Sequence, residues 1–155
     1  MSIEIGIGGP QRATVVEILK TLLADEFVLY VKTRNFHWNV VAPNFHDLHK
    51  FFEGQYEALD DTVDEVAERI RSLDHFSPGA LGEYLKSARL SEAPAGGLSA
   101  GAMIAALQAD HEALASSLRG DIVVAEDAND HGTADFLTAL LEGHEKTAWM
   151  LRATR

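Results

Sequence analysis

Five side chains in the first half of the sequence are of the kind that hold a transition metal: His37, His49, Glu53, Asp64 and Glu68. The last four lie in one stretch of helical character, from Asn44 to about Leu73, and His37 stands just before the loop preceding it. At roughly 100° per residue these four fall at about 0°, 40°, 60° and 100°, a single stripe. Imidazole nitrogen and carboxylate oxygen on one stripe suit a divalent transition metal. Yet at about 1.5 Å per residue, His49 and Asp64 are roughly 22 Å apart, too far to share an ion.

A second copy of the chain removes the difficulty. In an antiparallel pair of identical helices, facing residues have numbers with a constant total. Here 49 with 68 and 53 with 64 give the same total. A two-fold axis between Ala58 and Leu59 would set His49 and Glu53 of one copy against Glu68 and Asp64 of the other, twice over, as an isologous interface requires. The spacing predicts a site that belongs to two chains.

The remaining sequence supplies the elements to carry such a site. Residues 1–12 are glycine-rich and read as a flexible tail, and residues 13–155 as one domain. Gly6, Gly8 and Gly9 resemble a phosphate-binding loop only loosely, with no strand before them. From Ala13 to about Trp38, Val15, Val16, Leu19, Leu22, Leu23, Phe27, Tyr30 and Val31 recur at helical spacing. Pro43 turns the chain out of the helical region, and Asn44 is a good N-cap for the helix that follows. Ser77-Pro78-Gly79 opens a long connection, within which residues 80–90 form a short helix with Leu81, Tyr84 and Leu85 on one face. Ser99 caps a third long helix through Val123, residues 129–132 end it, and Thr133 caps a fourth reaching about Ala153. Its apolar positions include Leu137, Leu141, Ala148 and Leu151, with Trp149 also assigned to the core. The fold class is therefore all-α: a ferritin-like four-helix bundle with a short extra helix in the long connection between helices two and three.

Composition narrows the function classes. Thirteen basic against 24 acidic residues give a formal charge of −11, which repels nucleic acid and anionic membrane and attracts cations. Cysteine is absent, so thiolate sites and disulfides are excluded. The apolar residues from Val15 to Val31 are interrupted by Glu17, Lys20, Asp25 and Glu26, so no membrane-spanning segment is expected, and a cytoplasmic location is the default. Bundles of this kind commonly hold a di-metal site inside one subunit, built with Glu-x-x-His motifs. None of the seven histidines has a glutamate three residues before it, so that arrangement is not expected.

His37-Trp38-Asn39, Pro43-Asn44-Phe45, Leu48-His49, Asp64 and Ala67-Glu68-Arg69 resemble the signature of the Dps mini-ferritins, and Gly132–Phe136, Glu145-Lys146 and Trp149 resemble that family's last helix. The resemblance covers nearly the whole chain after the tail. It implies a hollow dodecamer that oxidises Fe(II), preferentially with hydrogen peroxide and otherwise with oxygen, and stores the Fe(III) mineral inside. His37, His49 and Glu53 would be ligands from one subunit, and Asp64 and Glu68 from its two-fold mate. His37, His49, Asp64 and Glu68 would be the catalytic set. Glu53 stands where many relatives have aspartate, and Lys50 where a glutamate is often found, placing a positive charge beside the site.

Other residues read more plainly. His46 falls near the stripe but would face Arg71, which favours a role supporting the ligands or a solvated one. His75, His111, His131 and His144 show no ligand spacing. Trp38 either packs at the interface or, as the resemblance implies, donates an electron. The run Asp121, Glu126, Asp127, Asp130 and Asp135 is either a solvated helix end or a cation-drawing pore lining. The rival function is a nucleoid protein that compacts DNA, but duplex affinity needs lysine and arginine. The tail offers only Arg12 before Lys20, and the other end only Arg152 and Arg155. Direct DNA binding is disfavoured.

Overall fold

The computed structural model describes residues 3–154; Met1 and Ser2 of the expected tail, and Arg155, lie outside the described residues. The described chain contains five helices: α1 (Gly9–Asn39), α2 (Phe45–Ser72), α3 (Leu81–Ser87), α4 (Ala100–Asp127) and α5 (His131–Ala153). Short turns join α1 to α2 and α4 to α5, making two hairpins, and the long crossing connection between them carries α3. No helix among the described residues is long and apolar enough to cross a membrane.

Helix α1 begins earlier than the sequence suggests. Pro10 stands in its first turn, where a fixed φ is already helical and a missing N–H is no loss. The Arg12 amide donates to the Gly8 carbonyl at 3.0 Å, and its guanidinium to the Ile7 carbonyl at 2.7 Å. The irregular segment among the described residues is therefore only 3–8.

Val15, Val16, Leu19, Leu22 and Leu23 are fully buried, facing Phe52 and Ile70 of α2, Leu107 and Leu118 of α4, and Leu137 and Leu151 of α5 in one core. Val31, expected on that face, is exposed, because its position on α1 has rotated past the seam that Leu29 and Lys32 occupy. On α3 only Tyr84 is buried, stacked on Phe27 with ring centroids 4.6 Å apart, whereas Leu81 and Leu85 are exposed. Seven residues make barely two turns, so one face of α3 cannot bury all three.

The crossing connection is pinned by Asp25, which has no exposed surface. Its carboxylate accepts from the Arg89 amide (2.6 Å), the Leu90 amide (3.0 Å) and the Arg89 guanidinium (2.6 Å). A buried ion pair of Lys32 with Asp110 at 2.6 Å ties α1 to α4.

Helix α5 is capped by Asp130 rather than Thr133. Asn129 takes a left-handed φ of 58°, ending α4 in the manner asparagine tolerates. Asp130 then accepts from the Thr133 amide at 2.9 Å and the Thr133 hydroxyl at 2.6 Å. Thr133 is thus the donor three residues into the cap, and His131 and Gly132 belong to the helix. Arg69, near the end of α2, closes the group by donating to Asp130 at 2.7 Å and to Thr133 at 2.8 Å. Ser99 does cap α4, accepting from the Ala102 amide at 3.2 Å.

Candidate metal centre

His37 stands in the last turn of α1 and His49 about one turn into α2, so the short connection between the helices folds the two rings together. Their centroids are 3.7 Å apart, with 20° between planes. The His37 Nδ1 meets the His49 carbonyl at 2.8 Å, and the His49 Nδ1 meets the His37 carbonyl at 2.8 Å. A carbonyl can only accept, so each Nδ1 carries the proton and each neutral ring keeps its lone pair at Nε2. Main-chain acceptors thereby fix both tautomers and both ring orientations, the support that metal-binding histidines require. Tyr56 packs edge-on to His37 at 5.1 Å and Phe45 stacks on His49 at 5.0 Å.

One turn beyond His49, Glu53 is ion-paired to Lys50 at 2.5 Å. That hydrogen bond, with the lysine charge, holds the Glu53 carboxyl below its ordinary value, and the same bond raises Lys50. Lys50 therefore engages Glu53 itself, competing with whatever cation the carboxylate would hold.

Asp64 and Glu68 are exposed on α2, on the side away from its core residues Leu48, Phe52, Leu59, Val66 and Ile70. The structure thus brings His37, His49 and Glu53 together and leaves Asp64 and Glu68 about four to five turns further along the same helix. Among the described residues, no three histidine, aspartate or glutamate side chains of one chain are placed to hold a metal ion.

Other expectations divide. His46 is exposed. Trp38 is 64% exposed, with the Arg34 guanidinium 5.2 Å from its ring centroid. Trp149, assigned to the core from its sequence neighbours, is 58% exposed: Ala148 and Leu151 take the buried face of α5, and Trp149 is turned about 100° off it. Of the acidic run, Asp121 and Asp130 are buried structural partners of Arg89 and Arg69, whereas Glu126, Asp127 and Asp135 are exposed.

Sequence reasoning dismissed a second group. His111 and His144 are buried and paired in the bundle interior, their Nδ1 atoms 2.9 Å apart, with Glu26 2.8 Å from the His144 Nε2. A signal was present: each polar residue occupies a core position, His111 between Leu107 and Leu114, His144 between Leu141 and Ala148.

Helical architecture and site can now be set beside known proteins. Residues 16–155 match the family profile described as a ferritin-like domain. A low temperature-induced protein of Nostoc sp. is 43% identical over 152 residues, 97% of this chain and 85% of that protein. DNA protection during starvation protein 2 of Bacillus anthracis is 37% identical over 139 residues, 90% of this chain and 94% of that one. Among solved structures, a Dps protein from Bacillus brevis superposes with a TM-score of 0.91 at 38% identity, covering 96% of this chain and 99% of that one. Dps from Vibrio cholerae O1, titled a member of a broad superfamily of ferritin-like diiron-carboxylate proteins, gives 0.92 at 30% identity, covering 99% and 96%. The chain belongs to the ferritin-like family and, within it, to the Dps proteins.

Proposed function

We propose that the chain is a ferroxidase and iron-storage subunit, working as a closed homo-oligomer, a dodecamer on the family pattern, whose sites form across two-fold interfaces. The observation that carries this reading is the reciprocal lock of His37 and His49, which leaves two Nε2 lone pairs free beside Glu53. Asp64 and Glu68 of a two-fold-related copy would complete the donor set, consistent with their exposure on the same stripe. Trp38, Val41 and Phe45, all exposed around the turn that carries the site, supply apolar surface suited to burial by such a copy.

Fe(II) is the substrate. Two imidazoles and carboxylate oxygens suit it and leave coordination positions open to the oxidant. Each hydrogen peroxide takes one electron from each of two Fe(II) ions, its O–O bond breaking as two protons complete two waters. Carboxylates favour the step because they stabilise the more highly charged Fe(III). The ferric product then hydrolyses, releasing protons, and is stored.

The decisive experiment mixes two inactive variants. His37→Ala and Asp64→Ala should each lose fast Fe(II) oxidation by peroxide, while hetero-dimers of the two should regain part of it, one of their two sites again having every ligand. Verified hetero-dimers without recovery would overturn the shared site, and a monodisperse monomer in light scattering would overturn the oligomer. The relative named for DNA protection raises direct DNA binding as a second reading. At −11 per chain, protection would come through iron chemistry instead, and a duplex should stay unshifted at about 0.15 M salt with chelator present.

A further inference from the structure

Small residues hold α2 and α5 apart. Gly54 and Ala58 on α2, with Ala139 and Gly143 on α5, line a cleft of about 450 Å³. A Cβ added at Gly54 or Gly143 would meet nothing within 4 Å, so the space is open where larger side chains would have closed it. Phe51 and Met150 wall one part of the cleft, and Leu59 and Leu140 another. Its volume lies within the roughly 300–1,000 Å³ of small-molecule sites, which are likewise mostly apolar with a few placed polar groups.

Few of the polar atoms in that lining are free to meet a ligand. The Thr62 hydroxyl donates to the Ala58 carbonyl at 3.0 Å and the Thr147 hydroxyl to the Gly143 carbonyl at 3.1 Å, so neither has a proton to offer. The His144 nitrogens are committed to Glu26 and His111, and the Gln55 amide and the His111 Nε2 are shut away from solvent behind the wall. Two ammonium groups remain, Lys50 and Lys146, and no carboxylate lines the cleft beside them. Among the described residues Lys146 forms no ion pair, and Lys50, more than half exposed, is paired with Glu53 alone. In a chain of 24 acidic and 13 basic residues, a cleft whose only charges are positive is set apart from the rest of the surface.

Both ammonium groups belong to one end. Arg69, near the end of α2, donates to Thr133 at the start of α5, so the two helices run antiparallel. Lys50, near the start of α2, and Lys146, toward the end of α5, therefore share the half of the cleft far from Arg69, while Thr62, Ala139 and Leu140 form the other half. A positive end and an apolar end select a ligand built the same way. A metal ion would meet two positive charges. An inorganic anion would be stripped of water along apolar walls that donate nothing. A sugar, nucleotide or peptide would carry polar groups left unmatched there. An aliphatic carboxylate leaves nothing unmatched: its head accepts charge-assisted hydrogen bonds from lysine, and its tail buries hydrocarbon.

We propose that the cleft between α2 and α5 binds one medium-chain free fatty acid per chain, its carboxylate held by Lys146 and Lys50 and its alkyl tail lying against Leu59 and Leu140 toward Thr62. Lys146 is the main partner of the head group, because Lys50 divides its charge between the ligand and Glu53. The site is complete within one chain and independent of the interface reading.

The test is calorimetric titration of the assembled, iron-free protein with decanoate below its micelle concentration, beside 1-decanol, inorganic phosphate and decyltrimethylammonium. Saturable binding of one decanoate per chain is expected, with each of the other three at least about ten-fold weaker. Lys146→Gln, a change at an exposed residue, should weaken decanoate by about ten-fold, and Lys50→Gln by less. Gly143→Leu fills the open space and should abolish binding in a chain whose circular dichroism is unchanged, whereas Lys86→Gln, outside the cleft, should leave it intact. A decanoate-soaked crystal should show the carboxylate beside Lys146. No saturable binding, equal binding of 1-decanol, full affinity in Lys146→Gln or in Gly143→Leu, or a segment of a second copy seated in the cleft would overturn the proposal. None of these readouts involves Fe(II) oxidation, so the ferroxidase reading is judged separately.

Discussion

The molecule holds two histidine pairs, and they are organised in opposite ways. His37 and His49 are each bonded to the other's main-chain carbonyl, sit at the edge of the bundle, and have the Glu53 carboxylate nearby. His111 and His144 are bonded to each other and to Glu26, deep inside. The first pair is fixed by the backbone of one turn and left open for ligands from elsewhere; the second is fixed by side chains of three helices. On the proposed function, the first pair is finished by assembly, whereas the second is finished by folding. Identical residue types carry opposite dependence on concentration, because any step that needs a second copy follows mass action.

The sharpest way to break this contrast is to remove one ring from each pair. His49→Ala should slow peroxide-driven Fe(II) oxidation by about 100-fold or more, since even outer supporting residues of metal ligands are worth about 10–100-fold. His111→Gln should leave the same rate within about two-fold, measured by stopped-flow absorbance of the ferric product. Equal losses in both variants would mean that the two pairs form one functional unit.

Arg69→Ala asks how far the outer site depends on the bundle's end. The variant leaves the buried Asp130 without its cation while the Thr133 bonds remain, a loss of roughly 2 kcal/mol read from denaturant midpoints. Because Arg69 neighbours Glu68, the oxidation rate should fall as well.

Acid sharpens the contrast from the other side. His111 has a folded pKa of about 3 against about 6.5 when unfolded. Between these values the unfolded chain takes up a proton that the folded chain refuses. Stability from this residue is therefore intact above about pH 6.5 and falls by about 1.4 kcal/mol per unit below it. Asp110 and Asp121 are raised, chiefly by burial, so protonating them relieves a penalty and opposes the loss at the acid end. Comparing unfolding midpoints at pH 7 and pH 5.5 should show a smaller drop in His111→Gln than in the unaltered chain.

The smallest effect expected is at Lys50. Its ion pair with Glu53 is largely exposed and so weak. Lys50→Gln should free the carboxylate and raise Fe(II) oxidation by about two- to three-fold at low iron, with little change at saturation.

How much of this was legible in the sequence follows from how local each cause is. The helices and the Ser99 cap rest on spacings of a few residues and were readable, whereas the grouping of His37 with His49 came from the family resemblance. The start of α5 was not, because Asp130 and Thr133 are both good capping residues and only the left-handed Asn129 decides between them. Trp149 misled because an apolar type was weighed above its angle on the helix. The interior cluster was missed since His111 and His144 are 33 residues apart and Glu26 is 118 from His144. A polar residue in a core position of each helix was the available sign, and no single one of them looks unusual alone.

Asp25 has a consequence for the order in which the chain acquires its shape. Each hairpin is held by contacts close in sequence, so both can form early and separately. The carboxylate of Asp25 and its donors at Arg89 and Leu90 lie 64 and 65 residues apart, a closure that is slow to find. Until it is made, water solvates Asp25; once the hairpins dock, that water is stripped and only the Arg89 segment can replace it. Docking of the hairpins and seating of the crossing connection are thus a single event, and a chain caught halfway would hold an unmatched charge in its core.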